Sequence, residues 1–300
     1  MRWMHRLVGT LLTLGVAACS TGAGLQRTPA TWNDVVALPA PSAGHRVAYG
    51  SDPKQFGDLR LPAGRGPHPL AIMVHGGCWR AEYKLDYLGP LSDRLASAGI
   101  ATWNLEFRGI GDAGGGWPGT FDDVAMGAAH LRTLAKTYPI DLERVVLVGH
   151  SAGGHLALWL AAQRRLSGSN PVTPAVRGVV TLAGIVDLRD YATGAGSCNK
   201  AVEPLLGGSA ASVPERYAAA SPSELLPIGV PVRLLIGALD PIVMPAHNAQ
   251  FATQARRRGD DVALSLIDGA GHFDLVLPTG PAAERLRRTL ESLLRPAPKP

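Results

Sequence analysis

Val-Val-Leu-Val-Gly-His-Ser-Ala-Gly, residues 145–153, runs from β-branched apolar residues into a glycine-flanked serine, and the apolar helical pattern of His155 to Ala162 comes directly after it. This reads as a nucleophile elbow, a strained strand-to-helix turn that holds a serine hydroxyl clear of the backbone beside a base. Gly149 and Gly153 flank Ser151 at the two points where strand and helix backbones come too close for a Cβ. Three fixed positions recur by chance in a chain with 36 glycines, so the flanking strand and helix give this pattern its weight.

Outward from the elbow, short apolar runs alternate with helical patterns: Leu70–Val74, Ile100–Leu105, Val145–Val148, Val176–Leu182, Val230–Ile236 and Val262–Ile267. That rhythm predicts a mostly parallel central sheet flanked by helices. Two earlier runs, His45–Tyr49 and Phe56–Leu61, are joined by the turn-forming Gly50-Ser51-Asp52-Pro53 and read as an antiparallel pair. Leu88, Leu91 and Leu95 share a helix face that ends at Gly99. Val124, Ala128, Leu131 and Ala135 share another, to which Thr120 and Asp123 offer a capping box. Phe251 and Ala255 belong to a helix closed by Gly259, and Leu286, Leu290 and Leu293 to a last one opening near Pro281. The connection from Asp187 to Gly229 is too long for a simple loop. It reads either as a cover for the substrate pocket or as a helical surface insertion before the next strand.

A serine nucleophile needs a proton acceptor, and the acceptor needs an orienting carboxylate, both supplied from loops at the carboxyl ends of strands. Asp240 and His272 each come just past a strand end, in the chain order Ser151, Asp240, His272. Asp187 is the nearest rival acid because it also comes after a strand, and Asp274 is read as a loop hydrogen-bonder. His45, His68, His130 and His247 are read as surface or structural. The developing oxyanion needs backbone donors. The amide of Ala152, directly after the serine, is one; those of Gly77 and Cys78 are the others, in the loop His75-Gly76-Gly77-Cys78-Trp79 after the first parallel strand. His75 and Gly76 support that loop, and Trp79 either walls the pocket or covers core. The constellation calls for no metal and no cofactor.

His-Gly-Gly-Cys-Trp at 75–79 resembles the His-Gly-Gly-x-Trp motif of α/β-hydrolases related to arylformamidases and small-ester carboxylesterases. The elbow with its succeeding Gly-His-Leu-Ala, the segment Arg108 to Phe121, and Gly271-His272-Phe273 resemble the same group, over roughly residues 45–295. The resemblance implies an α/β-hydrolase fold with a small helical excursion before the acid-bearing strand. It implies a nucleophile at Ser151, an acid and base at Asp240 and His272, and an oxyanion loop at Gly76 and Gly77. It also implies a small-molecule ester or amide substrate. Cys78 departs from the pattern at the third loop position. The first expectation is a serine hydrolase of small or aryl carboxylic esters. A kynurenine-formamidase-like activity, a small-peptide amidase and a non-catalytic envelope lipoprotein stand behind it.

The 300 residues, 46% hydrophobic and 18% charged, suffice for one large α/β domain. Arg2, His5 and Arg6 precede the apolar stretch Leu7–Ala18, which is short of the ~20 residues of a spanning helix and reads as an export signal over 1–18. Val16-Ala17-Ala18-Cys19 resembles a bacterial lipobox, which implies lipidation of Cys19 and anchoring in an envelope membrane. Plain cleavage to a soluble periplasmic or secreted protein is the alternative. Residues 19–44 read as a tether and 296–300 as a frayed tail. The net charge of +5 is modest, and its one cationic cluster, Arg256–Arg258, falls at a helix end, which argues against nucleic-acid binding. Cys78 and Cys198 form an even pair that an oxidising compartment permits to bridge; two free, buried small residues are the other reading. The sequence implies no particular oligomeric state.

Overall fold

The apolar runs pair into one eight-stranded sheet in the order β1-β2-β4-β3-β5-β6-β7-β8. The structure, a computed structural model, describes residues 28–39, 41–166, 175–194 and 197–296. The export signal, Cys19 and its lipidation, the tether up to residue 27 and tail residues 297–300 lie outside the described residues. The strands are β1 (His45–Ala48), β2 (Phe56–Arg60), β3 (His68–Val74), β4 (Ala101–Leu105), β5 (Ile140–His150), β6 (Val176–Leu182), β7 (Val232–Gly237) and β8 (Val262–Ile267). β1 and β2 pair antiparallel, β2 joins β4 antiparallel, and every later pairing is parallel. This is the strand order of the α/β-hydrolase fold. The central strands are apolar without alternation because helices cover both faces: Leu70 to Val74 and Val145 to Val148 are fully buried.

Ten α-helices pack around the sheet among the described residues: α1 (Trp32–Val36), α2 (Gly89–Ser97), α3 (Gly119–Ala129), α4 (Leu131–Leu134), α5 (Ala152–Leu166), α6 (Leu188–Thr193), α7 (Val202–Leu206), α8 (Pro214–Ala220), α9 (Pro245–Arg257) and α10 (Pro281–Leu293). None is long and apolar enough to cross a membrane. The excursion 187–229 is helical, comprising α6, a 3-10 turn at Asn199–Ala201, α7 and α8. Arg256 and Arg257 close α9, as their position before Gly259 suggested.

Four details differ from the sequence reading. The segment expected to be a tether up to residue 44 carries α1, so the folded body begins ahead of His45: Val35 is buried, and Trp32 packs on Tyr83, Tyr87 and Phe273. β5 starts at Ile140, five residues before its apolar run. The helix expected over 124–135 breaks at His130 into α3 and α4. Thr120 and Asp123 form no capping box. Thr120 Oγ1 donates to the Arg108 carbonyl, while Asp123 accepts from the Arg108 guanidinium at 2.7 and 2.8 Å and from Gln55 at 2.7 Å.

One glycine ties two strand-end loops together. A Cβ on Gly237, at the end of β7, would lie 2.4 Å from the Ala270 carbonyl oxygen and 2.6 Å from that of Gly271, both backbone atoms that cannot swing away. Gly259 has a left-handed φ of 92° with open space around it. Gly237→Ala is therefore expected to cost about 3 kcal/mol of unfolding free energy through overpacking, against about 1 kcal/mol for Gly259→Ala. Urea denaturation of the two variants checks the order.

Candidate active site

Ser151 sits between β5 and α5 with φ at 55°, the left-handed conformation of a strained elbow. Its amide donates to the Leu182 carbonyl at 2.9 Å, and its carbonyl accepts from Ile185 at 3.3 Å, so the turn is pinned to the end of β6. A Cβ at Gly149 would lie 2.1 Å from the Gly153 carbonyl oxygen, and one at Gly153 would lie 2.1 Å from that of Val74. Both flanking positions thus need glycine for the reason read in the sequence. Ala152 opens α5, so its amide has no intrahelical acceptor.

The loop after β3 lies against the elbow: a Cβ on Gly76 would come 2.7 Å from the His150 carbonyl oxygen and 3.0 Å from Ser151 Cβ. Gly77, Cys78 and Trp79 hold φ values of 104°, 53° and 58°. Among the described residues the amides of Gly77 and Cys78 meet no hydrogen-bond acceptor, as donors reserved for a ligand would. Trp79 is a core residue and not a pocket wall. It is 1% exposed, and its indole N–H donates to His155 Nδ1 on α5 at 3.1 Å. His75 braces the loop, with Nδ1 2.8 Å from the Gly76 carbonyl oxygen and Nε2 3.1 Å from Glu106. Burial pushes the Glu106 carboxyl up, but neighbouring His75 and the hydrogen bonds from His75, Phe107 and Leu85 outweigh it and hold the group low. Cys78 and Cys198 are joined in a disulfide with Cα atoms 5.1 Å apart, which decides between the two readings of the pair.

Asp240 and His272, from the loops after β7 and β8, meet at 2.7 Å between Oδ2 and Nδ1. The other oxygen of Asp240 accepts from the amides of Ile242 and Val243 at 2.8 and 2.9 Å, so the carboxylate is fixed as well as paired. That leaves Nε2 of His272 as the ring nitrogen for proton transfer. Asp187 is not part of this pair: it caps α6 by accepting from the Asp190 amide at 3.0 Å. Asp274 is a loop hydrogen-bonder, accepting from Gly271 and Ala30 at 2.9 Å each. His247 lies on α9 beside Asp190, and His45 and His68 lie on β1 and β3. Among the described residues no group of three or more His, Cys, Asp or Glu side chains is placed to hold a metal.

Two features of the site escaped the sequence reading. Tyr87 joins the loop after β3 to the elbow: its oxygen accepts from the Gly76 amide at 2.6 Å, which leaves its proton to donate to His150 Nδ1 at 2.8 Å. His150 Nε2 then faces the His272 carbonyl at 3.4 Å. Burial, with a smaller contribution from His272, pushes His150 well below the ordinary histidine range, so the link is neutral. The second feature is the N-terminal segment. Asp274 clasps Ala30 to the base loop, and Trp32 covers Phe273 and both tyrosines. The aromatic residues Trp32, Tyr83 and Tyr87 were visible in the chain, but no spacing rule connects them.

This strand order, with a serine on a left-handed elbow and a histidine–aspartate pair in the loops beside it, defines an α/β-hydrolase. The chain belongs to the BD-FAE family, an α/β-hydrolase esterase family, whose model matches residues 58–254. It is 28% identical over 253 residues to a probable isoprenylcysteine alpha-carbonyl methylesterase of Oryza sativa subsp. japonica, an alignment covering 77% of this chain and 57% of that protein. It is 27% identical to the esterase LipC of Mycobacterium tuberculosis, over 83% of this chain and 65% of that one. The chain thus spans less than two thirds of the length of these curated relatives. Among solved structures, a truncated carbohydrate esterase from gut microbiota superposes with a TM-score of 0.72 at 19% identity, covering 83% of this chain and 94% of the other, a likeness of fold.

The Tyr87 link predicts that Tyr87→Phe, which strands the buried Gly76 amide and His150 Nδ1, lowers unfolding free energy by about 1–3 kcal/mol in chemical denaturation. A second expectation concerns pH. Burial pushes His155 down to about 4, so in the folded protein it stays neutral where the unfolded chain takes up a proton. Its stabilising share is complete above the ordinary histidine value and falls as pH drops toward that of the folded state, by roughly 2 kcal/mol at pH 5. Urea midpoints at pH 7.5 and 5 should converge in His155→Gln relative to the wild type.

Proposed function

We propose that this chain is a serine hydrolase that cleaves small or aryl carboxylic esters through an acyl-enzyme. The observation that carries this reading is the 2.7 Å pair of Asp240 and His272 in the loops beside a serine held left-handed on its elbow. Nε2 of His272 takes the Ser151 proton as Oγ attacks the ester carbonyl. The oxygen of the tetrahedral intermediate accepts from the amides of Gly77, Cys78 and Ala152. The imidazolium, held in place by Asp240, protonates the departing alkoxide. A water deprotonated by the same nitrogen then attacks the acyl-enzyme, and the carboxylic acid leaves as Ser151 recovers its proton. The esterase names of the curated relatives support ester over formamide or peptide amide as the bond cleaved.

Export to an envelope compartment with a lipid on Cys19 is part of the same proposal. The short apolar leader ending at Cys19 supports it, as does the Cys78–Cys198 bridge, since such bridges persist in oxidising compartments. Intact-mass analysis of the mature protein should find acylated Cys19 at the N-terminus; an unmodified residue there overturns the anchor.

Ser151→Ala should remove p-nitrophenyl ester turnover by about 10⁶-fold, and Asp240→Asn should lower kcat by about 10⁴-fold. A fluorophosphonate probe should label the wild type at Ser151. A folded protein that stays unlabelled would instead be a scaffold, and turnover of N-formylkynurenine above that of aryl acetates would make the enzyme a formamidase.

A further inference from the structure

Gly77, Cys78 and Trp79 form an unusual run, since all three hold positive φ and two of them carry a Cβ that this conformation disfavours. Gly77 needs no help. Trp79 is held by its indole bond to His155 and by its carbonyl, which accepts from the Ile110 amide at 2.7 Å. Cys78 makes neither kind of bond itself and sits at the first central position of the turn that the Arg80 amide closes on the Gly77 carbonyl at 2.9 Å. Among the described residues it takes part in no hydrogen bond, and the disulfide to Cys198 is what fixes its side chain.

Cys198 is a firm anchor. It is buried within the excursion and opens the 3-10 turn that leads into α7, where Val202, Leu205 and Leu206 are fully buried. The Leu205 carbonyl also accepts from the Trp117 amide at 2.7 Å, in the glycine-rich loop that backs Trp79. The excursion therefore grips this loop at Cys78, the one non-glycine residue of the left-handed run that makes no hydrogen bond of its own among the described residues and is held otherwise only by the Arg80–Gly77 turn bond.

We propose that Cys198 is a positioning residue for the oxyanion hole. The bridge keeps Cys78 left-handed and so keeps the loop amides aimed at the site of developing charge, and the hole is complete only in the oxidised protein. This rests on the acyl-enzyme reading above. Donors to an oxyanion act in the transition state, so the bridge governs kcat and leaves substrate binding alone.

The test compares Cys198→Ser, Cys78→Ala/Cys198→Ser and Cys78→Gly/Cys198→Ser with the wild type on p-nitrophenyl acetate, well below each variant's Tm. Cys198→Ser is expected to lose about 10- to 100-fold in kcat, a partial form of removing a donor, with KM within about twofold. The Gly double variant recovers most of that loss, because glycine takes the left-handed conformation without a bridge, and the Ala double variant does not. Dithiothreitol gives the bridge two electrons and two protons and closes to its own cyclic disulfide. It should reproduce the loss in the wild type and add none to Cys198→Ser, which covers the case of a variant that fails to fold. A purely stabilising bridge would lower Tm, leave kcat of the folded protein unchanged and make the Gly and Ala variants alike; that result overturns the inference while an active wild type keeps the esterase reading. An oxidised wild type without ester turnover overturns both.

Discussion

The site depends first on how closely the elbow passes the end of β3. A single added methyl at Gly153 would stand 2.1 Å from the Val74 carbonyl oxygen and 2.3 Å from that of His75. That approach fixes the serine relative to the start of the loop that leaves β3. The same device recurs at Gly237, whose bare backbone lets the acid loop lie against the loop of His272. The position of Ser151 against β3, and that of the Asp240 loop against the His272 loop, are therefore set by contacts between main chains.

Much of this was legible because the chemistry sits at strand ends. A buried parallel strand is mostly apolar, so β3 to β7 announce themselves as runs even with Thr102, Asn104 and Thr181 buried among them, and the loop after each run lies on the carboxyl face of the sheet. Ser151 and Asp240 stand out that way, and His272 comes after the half-exposed edge strand β8. The polar start of β5 does not stand out: Asp141 and Arg144 pair with each other along the strand and interrupt the apolar pattern. Asp123 was misread as a helix cap because its real partners, Arg108 and Gln55, are remote in sequence. The helix at Trp32–Val36 lies in a segment that looks like a linker, since its support comes from aromatic rings in distant loops. Parity of cysteines permitted the bridge, and only the position of the excursion could join it.

The excursion and the N-terminal segment each brace one of the loops at the strand ends. The loop after β3 is held from one side by Cys198, and the loop of His272 is held from another by Ala30 through Asp274. Residues 28–38 precede the stretch 58–254 that the family model matches, and His272 comes after it. Both supports act on loops and leave the sheet itself untouched.

The neutral link through Tyr87 bears on the electrostatics of turnover. In the proposed cycle His272 becomes a cation twice per substrate, and its ring centre lies 4.7 Å from that of His150. Two unit charges at 4 Å repel by about 4 kcal/mol at an effective dielectric of 20. The Tyr87 proton occupies the lone pair on His150 Nδ1, so this neighbour has nowhere to take a second proton. Charge in that corner of the molecule then rises and falls by one unit, on the His272 ring, and the adjacent imidazole serves as an uncharged wall.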